Sequence, residues 1–219
     1  MKKLLIPFFG LFILTNSCKK KTTADPVPED KFMSLTAASS WNYTQMNNLT
    51  GIAGFYTLTS TSRDSTANGR SYHVFTNSGG ANEYYAISGT DYFTFRNLGA
   101  NFGGSSTELN YLKTSPAVGS SWTQTVPVTV SGIPLTVTLT NTITEKGIQK
   151  VVSGKIYYNV IHVTTGMTLP GATVVTDIHS YYTPKIGLIY NTNKINITVP
   201  GFPAQTTDQT TTLITSDIR

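Results

Sequence analysis

The feature that most constrains the fold is a period of two. Leu135, Val137 and Leu139 alternate with Thr136, Thr138 and Thr140, which puts one row of side chains on each face of a strand. No stretch holds apolar residues at 3.6 spacing free of Gly, Pro or Thr-rich breaks, so no long helix is expected. One short helical turn is expected within residues 32–40. From residue 41 onward the chain is rich in Thr, Val, Ile, Tyr and Phe and is cut by Gly, Asn and Ser, as strands separated by tight turns are.

Residues 83–88 and 91–96 flank Gly89-Thr90 and are expected to pair as a hairpin. Residues 63–70, with Asp64, Asn68 and Gly69, read as a polar turn between two strands. Residues 148–152 read as a strand of their own, as do 188–193 and 195–199, and 156–165 should pair with 173–183. The pattern amounts to about twelve short strands at hairpin-like spacing, hence an all-β, antiparallel domain. A sheet of that width must curl, split or close. The expected architecture is a curved antiparallel sheet: a half-barrel, an open barrel or a sandwich-like arrangement.

The N-terminal segment sets the compartment. Lys2 and Lys3 precede an apolar run over residues 4–14, and Thr15-Asn16-Ser17 leads to Cys18, the single cysteine. This is the layout of a secretory signal, too short for the ~20 residues that a helix needs to span a bilayer. The segment resembles a bacterial lipoprotein signal, with Thr15 where the commonest lipobox has Leu. The resemblance implies a diacylglyceryl group on the Cys18 sulfur; the other reading is an ordinary signal with an incidental cysteine. The expected organisation is a signal peptide over 1–18, a flexible tether over 19–31 carrying Pro26 and Pro28, and a single β-domain over 32–219. With no cysteine after Cys18, the domain rests on packing and sheet hydrogen bonds rather than disulfides.

Of the net charge of +5, +3 resides in the leader and tether, where six Lys face Asp25, Glu29 and Asp30. From Phe32 onward ten Lys or Arg face eight Asp or Glu, so a nucleic-acid partner is not expected. Lys19, Lys20 and Lys21 would lie at the lipid headgroups, where each contributes about 1 kcal/mol of attraction to anionic lipid. A basic rather than acidic run after the cysteine favours an outer-membrane protein that faces the periplasm.

Catalytic signatures are scarce. There is no Gly-x-Ser-x-Gly elbow, no phosphate-cradling loop and no pair of acids on one strand, so neither an enzyme nor a cofactor is expected. One constellation stands out: in the 156–165/173–183 hairpin, His162 falls opposite or diagonal to Asp177 and His179, and the latter two share a face. Two imidazoles and a carboxylate suit a divalent metal such as zinc; the alternative is a cross-strand polar patch. Tyr84-Tyr85, Tyr157-Tyr158 and Tyr181-Tyr182 should each send one ring to either face of the sheet.

Four motifs carry a wider resemblance: Trp41-Asn42-Tyr43; Leu112 through Pro116, Gly119 and Trp122; Val151-Val152-Ser153-Gly154-Lys155-Ile156-Tyr157-Tyr158-Asn159-Val160; and Tyr181-Tyr182-Thr183-Pro184-Lys185-Ile186-Gly187-Leu188-Ile189. Together they resemble a family of uncharacterised bacterial lipoproteins, although Tyr190 stands where its members usually carry Lys. The resemblance implies a half-barrel similar to periplasmic lipoprotein carriers, and it brings no activity and no functional residues. The leading expectation is a monomeric, membrane-anchored, non-catalytic protein that holds a lipid or lipidated peptide in a curved sheet. The alternative is a module that meets an envelope protein or polysaccharide.

Overall fold

The computed structural model describes residues 31–97, 106–130 and 133–219. The signal segment with Cys18, the tether up to residue 30, the glycine-rich run from Gly99 to Ser105, and Ser131-Gly132 lie outside the described residues. Twelve strands form one antiparallel sheet: β1 (Ser40–Asn47), β2 (Ile52–Ala67), β3 (Arg70–Asn77), β4 (Glu83–Ser88), β5 (Asp91–Asn97), β6 (Ser106–Lys113), β7 (Ser121–Val130), β8 (Ile133–Val152), β9 (Lys155–Thr168), β10 (Thr173–Thr183), β11 (Gly187–Thr198) and β12 (Gln205–Asp217). No helix occurs among the described residues.

The strand order is β6-β5-β4-β3-β2-β1-β12-β11-β10-β9-β8-β7. Paired strands are therefore consecutive in sequence except at one place, where β1 pairs with β12 from Ser40↔Asp217 to Asn47↔Gln209. That pairing curls the sheet into a nearly closed barrel whose seam falls in mid-chain, between β6 and β7. At the seam, side chains replace a strand ladder. Trp122 Nε1 donates to the Asn110 carbonyl at 2.9 Å, and the Asn110 N–H donates to Gln124 Oε1 at 2.8 Å. Trp122 thus serves the barrel wall. Gln124→Ala is expected to cost about 1 kcal/mol, the net worth of one hydrogen bond, in urea unfolding.

One end of the barrel is stoppered by the start of the domain. Phe32 and Met33 are buried in the core rather than forming the expected helical turn. The extended segment is tied down by bonds that a helix could not offer: the Phe32 N–H donates to Tyr92 Oη at 2.8 Å, and the Lys185 N–H to the Lys31 carbonyl at 2.6 Å. Gly187 passes directly under this stopper at φ +89°, and a Cβ there would sit 3.0 Å from the Phe32 carbonyl oxygen. Only glycine meets both demands. Above the stopper lie Trp41, Phe75, Leu112, Ile143, Ile189 and Leu213, all essentially inaccessible to solvent, each contributing roughly 1.5–3 kcal/mol by burial.

Several strands run longer than their sequence pattern. The polar stretch 63–70 is strand up to Ala67, with only Asn68-Gly69 turning. Residues 148–152 belong to β8, whose pairing with β9 slips three times between Ile143 and Lys150, around Gly147 at φ +76°. A glycine that reads locally as a turn here serves a bulge. Likewise the segments read as 188–193 and 195–199 merge into one strand, β11, which ends at Thr198.

Candidate functional site

The barrel encloses a hollow of about 400 Å³, within the range of small-molecule sites. Its composition follows from period-two steps along the strands, taken from the stoppered end outward. On β1 the inward residues run Trp41, Tyr43, Gln45; on β3, Phe75, Asn77; on β4, Tyr85, Glu83; on β12, Leu213, Thr211, Gln209. On β11 they run Leu188, Asn191, Asn193. There the register slips so that Tyr182 faces Leu188 and Tyr181 faces Tyr190, and Ile189 takes up the extra step. Every series moves from apolar or aromatic to amide or charge. The floor is greasy and the mouth is polar.

Aromatic rings line the middle. Tyr43 stacks on Tyr56 at 5.2 Å and 22°, Tyr85 meets Tyr111 edge-on at 6.0 Å, and Tyr111 meets Tyr182 at 5.6 Å. Such pairs favour one another beyond their buried area. Tyr43 Oη donates to the Leu188 carbonyl at 2.8 Å, and Trp41 Nε1 to the Ile186 carbonyl at 2.8 Å. Burial pushes the hydroxyls of Tyr43, Tyr85 and Tyr111 well above the usual phenol value, and those of Tyr56 and Tyr182 to about 12. At neutral pH each ring therefore keeps its proton and can donate.

Two charges stand at the mouth. Arg96 Nη2 lies 3.8 Å from Glu83 Oε2, and Glu83 also accepts from Asn77 Nδ2 at 2.8 Å and from the Tyr85 hydroxyl. Two lining side chains carry an oxygen with no protein partner, Thr94 Oγ1 and Asn193 Oδ1, and Thr94 is only 3% exposed. A buried polar atom left unpaired costs about 1–3 kcal/mol.

The tyrosine pairs divide as alternation requires. Tyr85 and Tyr182 line the hollow and Tyr157 is buried, whereas Tyr158 is exposed and Tyr181 faces the other way from Tyr182.

His162, Asp177 and His179 are brought together, but as a chain rather than around a centre. Glu145 Oε2 lies 2.8 Å from His162 Nδ1, His162 Nε2 lies 2.8 Å from His179 Nδ1, and His179 Nε2 lies 2.7 Å from Asp177 Oδ1. Ring nitrogens that a metal would need face one another instead, and no group of three such ligands converges on a metal position among the described residues. Glu145 lies past the clean alternation of residues 135–140, and only the register slip between Ile143 and Glu145 sets it opposite His162, so spacing alone does not bring it to the pair. Three contacts each need one proton, and two neutral imidazoles supply two. The series is complete only when one ring is cationic.

Burial at 7% exposure holds the His162 imidazole below its ordinary value, against the Glu145 hydrogen bond that raises it. Tyr181 stacks on its face at 4.1 Å, with Lys150 Nζ over the far side at 3.8 Å from the Tyr181 centroid. A lowered folded-state value means that the unfolded chain binds more protons, so stability present above about pH 6.5 is lost as pH falls through it. Thermal melts from pH 7.5 to 5 are expected to show this slope and His162→Gln to flatten it. A slope unchanged by the substitution would place the titrating group elsewhere.

A second series went unseen because residues 63–70 read as a turn. Asp64 and His73 are direct partners across β2 and β3, with Asp64 Oδ1 2.8 Å from His73 Nδ1 and His73 Nε2 2.9 Å from Ser60 Oγ. The atom order is that of a serine-hydrolase triad. Its exposure is inverted: Ser60 is 2% exposed, sits 3.1 Å from the Leu35 carbonyl oxygen, and has its backbone paired with Ala38 and Ser39, while Asp64 is open to solvent. Ser60 does not line the hollow. The series secures the segment behind the stopper to β2 and β3.

No protein-family model matches the sequence, and no curated protein matches it. Two solved structures are similar in fold. One, provisionally named a lipoprotein, is from Parabacteroides distasonis ATCC 8503, with 10% identity, a TM-score of 0.50, and coverage of 86% of this chain and 99% of that one. The other, provisionally named an exported protein with a YmcC-like fold, is from Bacteroides fragilis NCTC 9343, with 9% identity, a TM-score of 0.51, and coverage of 86% and 100%. At these identities the likeness is one of fold: this chain shares its barrel with a protein named as a lipoprotein and one named as exported.

Proposed function

We propose that the chain is a lipid-anchored protein of the bacterial cell envelope, held through Cys18 in the outer membrane and facing the periplasm, which binds an amphipathic ligand in its hollow without catalysis. The observation that carries this reading is the hollow itself: about 400 Å³, aromatic toward the stopper and polar at the mouth. The signal-like N-terminus and the names of the two fold neighbours support the envelope setting. Two or three acyl chains, at about 0.8 kcal/mol per buried methylene, would hold such an anchor firmly.

The test is native mass spectrometry of residues 31–219, secreted through a non-lipoprotein signal. A co-purified stoichiometric mass of amphiphile size is expected. A domain that is empty and also binds no added amphiphile would rule the reading out. For the non-catalytic part, a fluorophosphonate probe is expected to leave Ser60 unlabelled; covalent labelling there would establish a working triad.

A second reading, docking of an envelope protein, is favoured by one hairpin. Leu49, Ile52 and Phe55 are all more than half exposed, Phe55 to 77%. Loss of a captured partner on Phe55→Ser would support it.

A further inference from the structure

The stoppered end of the barrel carries an apolar surface that the fold leaves open. There the β8–β9 hairpin reaches over β10 and β11 toward β12. Lys150 Nζ lies 3.8 Å from the Tyr181 ring centroid and 5.2 Å from that of Tyr190, and Ser153 Oγ donates to the Leu213 carbonyl at 2.9 Å. Alternation splits the hairpin into two faces. Val152 and Tyr157 are buried in the core, whereas Val151 and its cross-strand partner Ile156 are 62% and 49% exposed, and Tyr158, two residues further on, is 57% exposed. Two bonds join this patch to the start of the domain: Thr183 Oγ1 donates to the Tyr158 carbonyl at 2.9 Å, and the Lys185 N–H donates to the Lys31 carbonyl. From Lys31, residues 19–31 lead back to Cys18, a reach of at most about 45 Å.

Charge follows the same polarity. Residues 146–207 hold five lysines against one acid, Asp177, and Lys31 and Lys155 are exposed beside the patch. Asp217, at this end, is held by Arg219 at 2.9 Å. Glu29 and Asp30 precede Lys31 in the chain, and Lys19, Lys20 and Lys21 outnumber them. The mouth end also exposes apolar side chains, Leu49 and Phe202, but its cations are matched: Lys194 has Asp208 at 4.0 Å and Arg96 has Glu83 at 3.8 Å. Aliphatic side chains, an exposed tyrosine and lysines together suit the headgroup layer of a bilayer.

We infer, on the lipid-anchor part of the reading above and whatever the hollow holds, that Val151, Ile156 and Tyr158, with Lys31, Lys150 and Lys155, rest on the anionic headgroups of the membrane that holds Cys18. The contact need only be weak. An anchored domain never leaves the neighbourhood of its bilayer, so the second contact is intramolecular and benefits from a high effective concentration. One lysine near an anionic surface is worth about fivefold in affinity. The docked domain presents its stopper to the bilayer and opens its mouth away from it. A guest therefore enters from the aqueous side, not from the leaflet beneath.

Two measurements test this. The first places the mature chain, anchored through Cys18, in vesicles of phosphatidylglycerol and phosphatidylcholine with brominated acyl chains. Tyr158→Trp is expected to add fluorescence that the bromines quench about twofold or more, and Phe202→Trp, at the mouth end, fluorescence that they leave unchanged. The second uses residues 31–219, which contain the stopper and all twelve strands, without the anchor. Their co-sedimentation should be at least tenfold stronger with vesicles that contain phosphatidylglycerol than with pure phosphatidylcholine, and high salt should erase the difference. Lys155→Glu should weaken it about tenfold and Ile156→Ser several-fold, both checked for unchanged melting, while Phe202→Ser should not. Quenching of Phe202→Trp but not of Tyr158→Trp would turn the mouth to the membrane and overturn the inference; quenching of neither would overturn it by holding the domain clear of the bilayer. Sedimentation that ignores lipid charge, or both patch substitutions, would overturn it as well. None of these failures touches binding in the hollow, which native mass spectrometry reads separately.

Discussion

Trp41→Ala is expected to lower stability by about 3–5 kcal/mol, the range for deleting a large buried aromatic. Against a total of about 5–15 kcal/mol for a typical domain, that is enough to leave a substantial unfolded population near 37 °C. Three effects act together. The side chain is 1% exposed and packs at 5.6 Å on Phe75, its indole N–H holds the Ile186 carbonyl, and it floors the hollow. Trp41→Phe keeps most of the ring and loses mainly the hydrogen bond, so it should cost about 1–2 kcal/mol. Equilibrium urea unfolding of the two variants separates the terms. A loss below about 1 kcal/mol for the alanine variant would mean that the floor is not packed as described.

The second large effect concerns the stopper. Phe32→Ala with Met33→Ala should cost several kcal/mol, each deletion contributing roughly 2–4, but not additively, because both side chains share one buried cluster. The consequence reaches beyond stability. Tyr111 Oη approaches Met33 Sδ at 3.6 Å, and Tyr92 is tied to the Phe32 N–H, so emptying this end opens the hollow from below. A bound amphiphile should then dissociate faster while the mouth is untouched. Stopped-flow release, read beside the melting temperature, checks this; unchanged release from a destabilised barrel would confine the stopper to a packing role.

Much of the barrel is legible locally. The strands over 83–88 and 173–183 have the limits read from sequence, because Gly89 and the Leu169–Ala172 turn punctuate clean alternation. The division of Tyr84-Tyr85 between the two faces follows from the same arithmetic. Misreadings came where a polar or glycine-bearing stretch stayed in the sheet. Residues 63–67 remain strand because β3 lies alongside them, with Asp64 facing His73, and Gly147 bends β8 without ending it. Local propensity cannot anticipate a partner strand that supplies the missing hydrogen bonds.

The sequence by itself determined that this chain is all-β and antiparallel, since side-chain alternation and turn residues act within a few positions of each other. It also determined which tyrosine of each pair shares a face with which neighbour. Only the tertiary structure decided that β1 closes on β12, that Phe32 and Met33 stopper the barrel, and that the interior is graded from ring to amide. It alone joined Glu145 to His162 and Asp64 to His73. These depend on cross-strand register, which is set by burial summed over the whole sheet and on the single-residue slips that reverse which face a side chain occupies. The slip that lets Ile189 take an extra step is what turns Asn191 and Asn193 toward the hollow, and nothing within β11 alone announces it.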